Sequence, residues 1–538
     1  MKSLFPSVDG NERDRAQLLQ WMEQLLRGLD ELKDPDRVFL KGNKDRSGHF
    51  YQTLAEDSVI PQQGAPLEDV NVQLLELLKS HPYHTKYFLT NILPMASIPG
   101  ILGLLTAALV NGNNLWDVYG PAGAEAEVRV VSMMSKLVGY DHRKSGGYTT
   151  WGGQGAVFSG LRLAIAKFDP DAIQRGVPGN FYVLASESAH YSALKAVEAT
   201  GLGRDKLIRV RSNPDNSMNL MDLEEKLERV MAGGGVPVYI VATTGTTDAM
   251  GIDNVKGVYD IASAVAERAG TRRPHIHADS ALGGFFAMFN QYDFERNPLG
   301  LKEHVLDAIR PIRDKMLGLA YADSLCFDFQ KLGQTPYVTS LFMVKDASDF
   351  TWVDLAPEHT PYVGHRGYGD YHTGYTLECS RMSSSIAMLS ALLAFGVEGY
   401  QRLLAQFVEV NLAIRSALRD RVPGLEIVNA DNPGIITAFR VYPDGKNYAD
   451  ELAGKYTAAE IQEINSMNER LFEVFGRQRD RIFLGDTKQH LMVDTKDGYR
   501  VPIYASKVFV ISPYTQPEDA EYIAQYIQDQ VASVYAYR

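Results

Sequence analysis

The sequence predicts an α/β protein whose large domain holds a mostly parallel sheet flanked by helices. From about residue 121, helical stretches alternate with short runs of β-branched and aromatic residues that are apolar on both faces. Strands of this type lie inside parallel sheets that helices cover on both sides. The predicted strands are residues 180–184, 206–211, 236–242, 275–278, 324–327 and 340–344.

Helices dominate the predicted N-terminal segment, which spans residues 1–120. Apolar residues recur at helical spacing over 11–35, and 67–79 and 99–110 are further predicted helices, with a polar loop that ends near residue 65. This segment is followed by the large domain at 121–383.

A small α+β domain is predicted at 384–538. It begins with a long helical stretch at 386–418 and ends with a helix from residue 517. Its predicted strands are 425–428, 434–441 and 507–511. The charged stretch 444–504 is interpreted as an irregular insertion.

Composition limits the partners. The chain has 538 residues, with 54 basic and 66 acidic side chains and a formal net charge of -12 at pH 7. A net negative surface repels nucleic acids and anionic membranes, so a small molecule is the expected partner. Two cysteines, Cys326 and Cys379, are too few for a disulfide framework and lack the spacing of a zinc site. With no apolar segment near residue 1, we expect no signal peptide and a cytoplasmic protein.

Residues 87–116 carry no charge and are long enough to cross a bilayer. Pro94, Pro99, Gly100 and Gly103 interrupt the segment, and no basic residues flank its far end. We therefore expect a buried helix that begins near Pro99 and lies against the core or in a subunit interface.

One lysine follows a predicted strand and precedes a turn rich in glycine and proline. Most lysines are solvated surface charges, but Lys331 at a strand end in a dry pocket can lose its proton and form a Schiff base. Asp279 follows the strand 275–278, and a lone buried aspartate usually makes structural hydrogen bonds. Together the two residues suggest a pyridoxal phosphate site, in which the aspartate keeps the ring nitrogen protonated.

Three further motifs fit a flat, phosphorylated ligand. A glycine-rich turn at 152–156 opens a predicted helix, an arrangement that cradles phosphate in some proteins and is a plain loop in more. His190 is able to stack on the ligand, although a lone histidine is more often a satisfied core residue. Residues 243–253 end another strand with hydroxyls and glycines, which also suit a simple capped turn.

In this order the motifs resemble those of the group II amino acid decarboxylases, a pyridoxal-phosphate-dependent family of fold type I. The resemblance covers residues 80–400, begins with His81 and Pro82 and ends with Ser380 and Arg381. It implies a fold type I transferase-like architecture, pyridoxal 5'-phosphate as cofactor, and a carboxy-lyase that converts an L-amino acid to its amine and carbon dioxide. It also implies a homodimer, with residues 1–120 in the subunit contact.

The resemblance assigns roles to individual residues. Lys331 matches the lysine that binds the cofactor covalently, Asp279 the partner of the ring nitrogen, and His190 the group that stacks on the ring. Arg381 matches an arginine that meets the substrate carboxylate or pairs with acids around it. Further cofactor contacts implied by the resemblance are Thr246, Ala281, Gln154 and Gly155.

Two positions bear on proton transfer. Family members protonate Cα with a loop tyrosine after carbon dioxide leaves, and Tyr362 has the best spacing for this role within the tyrosine-rich segment 352–375, which also suits a plain surface lid. Gln330 departs from the family pattern, in which histidine precedes the lysine. Because an amide cannot titrate, the change is either a neutral swap in a phosphate contact or a sign of altered reaction chemistry.

The substrate is open at this stage. Aromatic residues at 83–88, with Trp116 and Tyr119, suit a tyrosine-like substrate if they wall the pocket, though such residues are more often ordinary packing. An acidic substrate of the aspartate, glutamate or cysteine sulfinate type needs an extra cation. Candidate cations are His84, Lys86, His365 and Arg366. Alternatives outside the decarboxylases are a fold type I transaminase, a carbon–carbon lyase and a catalytically silent scaffold protein.

Overall fold

A computed structural model describes residues 4–361, 363–364 and 366–535. The helices are α1 (Glu12–Leu32), α2 (Phe50–Asp57), α3 (Leu67–Leu78), α4 (Ile98–Val110), α5 (Pro121–Val138), α6 (Gly153–Phe168), α7 (Ala172–Arg175), α8 (Ser192–Ala199), α9 (Leu220–Ala232), α10 (Val255–Ala269), α11 (Glu303–Met316), α12 (Ser385–Arg421), α13 (Tyr448–Leu452), α14 (Ala458–Arg477) and α15 (Ala520–Tyr535). The strands are β1 (Phe88–Leu89), β2 (Gly146–Thr150), β3 (Phe181–Ser186), β4 (Leu207–Val210), β5 (Val236–Thr243), β6 (His275–Asp279), β7 (Ser324–Asp328), β8 (Ser340–Val344), β9 (Leu425–Ile427), β10 (Ile436–Val441), β11 (Phe483–Asp494) and β12 (Arg500–Phe509).

The chain divides into two compact units. The first contains Met1–Leu89 and Phe475–Phe483, and the second contains Thr90–Val474 and Leu484–Arg538. Within the first unit α1 and α3 pack closely, because a Cβ at Gly28 would overlap the Leu75 side chain. The boundaries at residues 120 and 383 divide the chain by function and remain a prediction.

A seven-stranded sheet forms the centre of the second unit, with the strand order β2-β8-β7-β6-β5-β3-β4. Strands β4, β3, β5, β6 and β7 run parallel, whereas β8 is antiparallel to β7 and to β2. Helix α6 packs against β5, β6, β7 and β8, and every residue of β6, β7 and β8 is buried. All six strands predicted for this sheet are present, and the predicted α/β fold class is confirmed.

Strand β2 was not predicted because its sequence lacks an apolar pattern. It begins with two glycines and pairs with β8 along its whole length. A Cβ at Gly147 would lie 2.5 Å from the Phe342 carbonyl oxygen, so the close approach of the two strands requires glycine there.

The interpretation of residues 444–504 as an irregular insertion is wrong. The stretch forms α13, α14, β11 and the first part of β12, and in the second unit β11, β12, β10 and β9 pair in that order as antiparallel neighbours. Ile461, Ile464, Met467 and Leu471 of α14 are buried at helical spacing. Charged residues between them hide this period in the sequence.

Helix α4 lies in the uncharged segment and packs tightly on α12. A Cβ at Gly103 would lie 2.5 Å from the Cα of Ala387, so the two backbones approach closely because residue 103 is glycine. The helix is 13 residues long. None of the helices in the described part of the chain has the length and hydropathy needed to cross a membrane.

Candidate active site

A cavity of about 310 Å³ opens where β5, β6 and β7 end, at the carboxyl edge where ligands bind in parallel sheets. The predicted site residues in its wall are Lys331, Asp279, Ala281, His190 and Gln154. Thr246, Gly155 and Arg381 are not part of this wall, and Tyr362 lies outside the described residues. A larger cavity of about 950 Å³ in the first unit contains none of the predicted site residues.

Lys331 follows the end of β7 and is held by the last residue of that strand. Its Nζ lies 2.9 Å from Asp328 Oδ2, and its backbone N–H donates to the Asp328 carbonyl at 3.0 Å. Burial alone lowers the pKa of Lys331, but the Asp328 carboxylate, helped by Asp279, raises it above its usual value. In this state Lys331 is an ammonium ion paired with Asp328, not the readily deprotonated lysine that burial suggests.

Asp279 is the last residue of β6 and lies opposite Cys326 of β7. The Cys326 thiol donates to Asp279 Oδ1 at 3.4 Å, and the Ala281 backbone N–H donates to the same oxygen at 3.3 Å. Burial raises the pKa of the Cys326 thiol well above its usual value, so the thiol keeps the proton that it donates. Asp279 therefore presents a buried carboxylate whose Oδ1 accepts both of these hydrogen bonds.

His190 lies in the loop between β3 and α8 and points a neutral ring toward the cavity. Its Nδ1 accepts from the Ser192 backbone N–H at 3.2 Å, which leaves the ring proton on Nε2. Burial lowers the pKa of His190, with nearby Asp279 acting in the opposite direction. A neutral imidazole with one fixed nitrogen is suited to lie flat against an aromatic ligand.

The glycine-rich turn leads directly into α6, whose 16 residues point their N-terminus at the cavity. Gly152 has a φ of +108° and Gly153 begins the helix. A Cβ at Gly153 would lie 3.2 Å from both carboxylate oxygens of Asp328, so this glycine lets the turn and the carboxylate approach. The Gly155 N–H already donates to the Gly152 carbonyl at 2.9 Å, and Gly155 is not part of the wall.

The cavity wall fits pyridoxal phosphate. Three buried oxygens around it, Gln154 Oε1, Ser192 Oγ and Thr243 Oγ1, have no hydrogen-bond partner among the described residues. Unpartnered buried polar atoms are costly unless a ligand or water meets them. Together with a helix N-terminus for a phosphate, a carboxylate for a ring nitrogen and a lysine amine for an aldehyde, they match the groups of this cofactor.

Thr246 shapes the loop after β5. Its backbone N–H donates to the Gly251 carbonyl at 2.8 Å, and its hydroxyl accepts from the Gly251 N–H at 2.9 Å. Asp253 anchors the same loop by accepting from the Thr243 N–H at 2.7 Å, and burial raises the pKa of Asp253 to about 7. The residues of this loop that line the cavity are Gly245 and Thr247.

Arg381 forms a buried, two-contact ion pair with Glu127. Its Nη1 and Nη2 lie 2.7 Å and 2.9 Å from the two carboxylate oxygens, and the two side chains are 3% and 0% exposed. Tyr371 and the Thr149 backbone N–H also donate to Glu127, at 2.6 Å and 2.7 Å. Of the two roles left open for Arg381, this geometry matches pairing with an acid, and contact with a substrate carboxylate remains a prediction.

Three residues of this region carry no prediction from the sequence. Asp328 and Tyr337 line the cavity and belong to the same segment as Lys331. Their short distance in sequence from that lysine could have marked them as candidate site residues. Glu127 lies in α5, far from any motif in the chain. No sequence signal marks Glu127, because only the folded chain brings it to Arg381.

Comparison with known proteins identifies the family. The profile described as the pyridoxal-dependent decarboxylase conserved domain matches residues 51–299 and 307–442, more than half of the chain. The L-2,4-diaminobutyrate decarboxylase of Rhizobium meliloti (strain 1021) is 26% identical over 364 residues, which are 66% of this chain and 65% of that relative. The chain thus spans just under two thirds of that relative's length. The aspartate 1-decarboxylase of Aliivibrio fischeri (strain ATCC 700601 / ES114) is 24% identical over 545 residues, 92% of each chain.

Solved structures show the same fold. The structure of Oryza sativa TDC with PLP and tryptamine has a TM-score of 0.76 at 17% sequence identity, over 98% of this chain and 99% of that chain. At this identity the likeness shows the fold, and the family profile shows the relationship. The chain therefore belongs to the family of pyridoxal-dependent amino acid decarboxylases of fold type I, and its cofactor is pyridoxal 5'-phosphate.

Proposed function

We propose that this enzyme removes the α-carboxyl group of an aromatic L-amino acid as carbon dioxide and releases the amine. The observation that carries the choice of substrate is the cavity wall, where the rings of Tyr191 and Tyr337 are 57% and 50% exposed. Lys331 is the one lysine or arginine on the described part of that wall. An acidic side chain would need a further cation, whereas an aromatic side chain can pack on the two tyrosines.

The chain's own residues divide the work of holding cofactor and substrate. When bound, pyridoxal phosphate supplies an electron-poor ring that accepts the electron pair of the broken Cα–carboxylate bond. Lys331 would attach to it through Nζ, and Asp279 would keep a proton on the ring nitrogen. His190 would lie against the ring as a neutral group, and the N-terminal amides of α6, with the Ser192 hydroxyl, would hold the phosphate.

The proton that replaces the carboxyl group at Cα has to come from a residue that reaches the cavity. The Tyr337 hydroxyl donates to the Ile92 carbonyl at 3.0 Å, and burial raises the pKa of Tyr337. This hydroxyl is therefore committed to the backbone. Tyr362 remains the proposed donor, on the strength of its spacing ahead of Arg381.

An acidic substrate is the second candidate. It is favoured by the match to an aspartate 1-decarboxylase along 92% of each chain. Against it, Arg366 donates to the Pro361 carbonyl and is not part of the cavity wall. His84 and Lys86 are not part of that wall either, and His365 lies outside the described residues.

A substrate panel tests both parts of the proposal. Enzyme loaded with pyridoxal phosphate is incubated with tyrosine, tryptophan, phenylalanine, aspartate, glutamate, cysteine sulfinate and 2,4-diaminobutyrate, and carbon dioxide, amine and keto acid are measured. We expect carbon dioxide and amine, with the highest kcat/KM for an aromatic substrate. A higher kcat/KM for aspartate overturns the choice of substrate, and keto acid without carbon dioxide overturns the reaction.

A tyrosine variant sharpens the panel. Tyr191→Ala is expected to lower kcat/KM for the aromatic substrate by about 2- to 10-fold, the value of one aromatic contact. Tyr499→Ala is the matched control, because Tyr499 is similarly exposed, at 64%, and does not line the cavity. Equal losses in the two variants would show that Tyr191 does not contact the substrate.

A homodimer is part of the proposal. The outer side of α4 exposes five apolar side chains and carries no charge, a pattern that marks a contact surface. They are Ile98, Ile101, Leu102, Leu109 and Val110. The inner side of the helix packs against the segment that follows Lys331, since a Cβ at Gly100 would lie 3.0 Å from the Cα of Thr335. We expect light scattering to report a dimer and Leu102→Glu to shift it toward monomer; a monomeric wild-type enzyme would contradict this. A cytoplasmic location remains a prediction.

A further inference from the structure

Asp328 lies between the lysine that carries the cofactor and the turn assigned to its phosphate. Its Oδ2 is 2.9 Å from Lys331 Nζ, and both of its oxygens lie 3.2 Å from the Cβ position of Gly153. The side chain is 4% exposed, so water screens it little. Asp328 is a second buried carboxylate in this cavity besides Asp279, and the cofactor mechanism above does not use it.

A chain of hydrogen bonds fixes what each oxygen of Asp328 can do. Gln330 Oε1 accepts from the Thr339 backbone N–H at 2.9 Å, so its amide nitrogen faces Ser340 and donates to the hydroxyl at 2.8 Å. Ser340 in turn donates to Asp328 Oδ1 at 2.5 Å. Oδ1 is therefore an acceptor whatever the state of the site, and Oδ2 is the oxygen that responds to Lys331.

Loading of the cofactor changes the surroundings of Oδ2. Before loading, the Lys331 ammonium neutralises Asp328. After loading, the lysine nitrogen would be bound to the cofactor, and the N-terminus of α6 beside Asp328 would hold a phosphate with a charge near −2. Two anions in contact in a poorly screened site repel strongly unless a proton lies between them.

We propose that Asp328 takes up a proton on Oδ2 when the cofactor phosphate binds, and donates a hydrogen bond to the phosphate instead of repelling it. Lys331 supplies the proton across the 2.9 Å contact, as ammonium plus carboxylate becomes amine plus carboxylic acid. The amine is then able to attach to the cofactor aldehyde with loss of water. Charge and atoms balance, and no proton leaves the site.

The neighbouring titratable groups leave this role to Asp328. Burial raises the pKa values of the Cys326 thiol on β7 and the Tyr337 hydroxyl, so both keep their protons, and burial lowers the pKa of His190, so the ring stays neutral. Asp279 on β6 is assigned to the ring nitrogen. Asp328 is thus the acid in this cavity whose partner is removed by loading.

The test compares the affinities of apoenzyme for pyridoxal 5'-phosphate and for pyridoxal, measured by absorbance between pH 7 and 9. The ratio of the two dissociation constants isolates the phosphate, because attachment to Lys331 and the ring nitrogen are common to both ligands. With pyridoxal no phosphate holds the lysine proton on Asp328, so that proton leaves to solvent, whereas with pyridoxal 5'-phosphate it stays. The complex with the phosphorylated ligand therefore holds one more proton, and its affinity advantage over pyridoxal falls by up to about 10-fold per pH unit. In Asp328→Asn the affinity advantage of pyridoxal 5'-phosphate over pyridoxal is constant between pH 7 and 9, and at pH 9 it exceeds the advantage measured for the wild type.

Two further variants make the test specific. Asp248→Asn is the matched control, because Asp248 pairs with Lys507 at 2.6 Å and does not line the cavity; its slope equals that of the wild type. Ser340→Ala removes the donor to Oδ1, so the ionised carboxylate is less favoured and the fall in the ratio shifts to higher pH. If Asp328→Asn does not fold, the pH dependence of the ratio in Ser340→Ala and in the wild type still tests whether Asp328 takes up the proton.

The outcomes are distinguishable. A phosphate advantage that does not change with pH in the wild type, or that falls equally in Asp328→Asn, overturns the inference. The inference rests on the proposed assignment of the turn at 152–154 to the phosphate, and equal affinities for the two ligands at every pH overturn that assignment with it. Neither result bears on the substrate, which the panel of amino acids tests separately.

Discussion

Two ion pairs near the cavity differ in how completely their charged groups are buried and hydrogen-bonded. Glu127 receives four hydrogen bonds, from both terminal nitrogens of Arg381, from Tyr371 and from the Thr149 N–H. Lys331 Nζ lies 2.9 Å from Asp328 Oδ2, and the lysine side chain is 21% exposed while that of Asp328 is 4% exposed. The first pair is a closed, buried network, and the second has a partly exposed partner that can leave.

This difference indicates that the Arg381–Glu127 pair stabilises the fold, whereas the Lys331–Asp328 pair takes part in the chemistry. An arginine that holds a carboxylate at two points fixes the position of the elements that carry the two residues. Here it joins α5 to the segment that leads into α12. A lysine with one contact can exchange that contact for a cofactor. We therefore expect mutations of the first pair to reduce stability and mutations of the second to reduce activity.

The largest expected effect is on activity, in Lys331→Gln. Decarboxylation is expected to fall by at least about 10³-fold, the order of loss seen when a residue of covalent chemistry is removed. The free energy of unfolding should change less than in the Arg381 variant described next, because the Lys331 side chain is 21% exposed and water can take its place, whereas Arg381 and Glu127 are 3% and 0% exposed. Rate assays and urea unfolding of the same preparation measure both. Retained activity would show that another residue carries the cofactor.

The next effect is on stability, in Arg381→Gln. Removing one partner leaves Glu127 buried without its counter-charge, which costs about 3–5 kcal/mol of unfolding free energy. Urea unfolding of the apoenzyme gives this value without a contribution from the cofactor. In the double variant Glu127→Gln with Arg381→Gln, no buried charge remains, so the loss should be smaller than in Arg381→Gln alone. An additive double variant would contradict a closed network.

Buried histidines offer a contrast, since they avoid charge instead of pairing it. His275 and His277 both contact the Ser324 hydroxyl at 2.8 Å, and burial lowers the pKa values of these histidines to about 4 and about 3. The unfolded chain binds protons near pH 6.5, so their contribution to stability is complete above that pH and is lost as the pH falls toward 4. The slope is up to about 1.4 kcal/mol per pH unit for each histidine.

His277→Asn tests this pH dependence. The variant removes one titrating group and should flatten the dependence of unfolding free energy on pH between 6.5 and 4, whatever its effect at pH 7. Urea unfolding at several pH values gives the slope. A slope equal to that of the wild type would mean that His277 is not neutral in the folded chain.

The smallest effect is expected for an exposed ion pair. Arg204 and Glu198 lie 2.7 Å apart with side chains 66% and 54% exposed. Glu198→Gln should change the unfolding free energy by less than about 1 kcal/mol and leave activity unaltered. A loss as large as that of Arg381→Gln would show that burial does not set the ranking of these pairs.

Prediction from sequence was strongest for strands buried on both faces. Six of the seven strands of the central sheet and the motifs at their ends were recognised, because short apolar runs followed by glycines and polar residues can be identified without knowledge of tertiary contacts. Strand β2 was missed because close packing against Phe342 demands glycine there, which weakens strand patterns. Helix α14 was missed because charged residues on its outer face obscure the apolar spacing.

The site was predictable in part. Lys331, Asp279, His190, Ala281 and Gln154 were placed by motifs and do line one cavity. The pairings were not predictable, because Glu127 and Arg381 lie 254 residues apart and meet only through the fold. The link from Gln330 to Asp328 through Ser340 depends on the pairing of β7 with β8, which no motif records.

The proposed roles of Asp279, His190 and Asp328 all depend on attachment of the cofactor to Lys331. Holoenzyme prepared with pyridoxal phosphate is reduced with borohydride, which makes the link between cofactor and lysine permanent, and is then digested for peptide mass spectrometry. We predict that the label lies on the peptide that contains Lys331 and is absent after Lys331→Gln. A label on a different lysine, or one that persists in the variant, would contradict it.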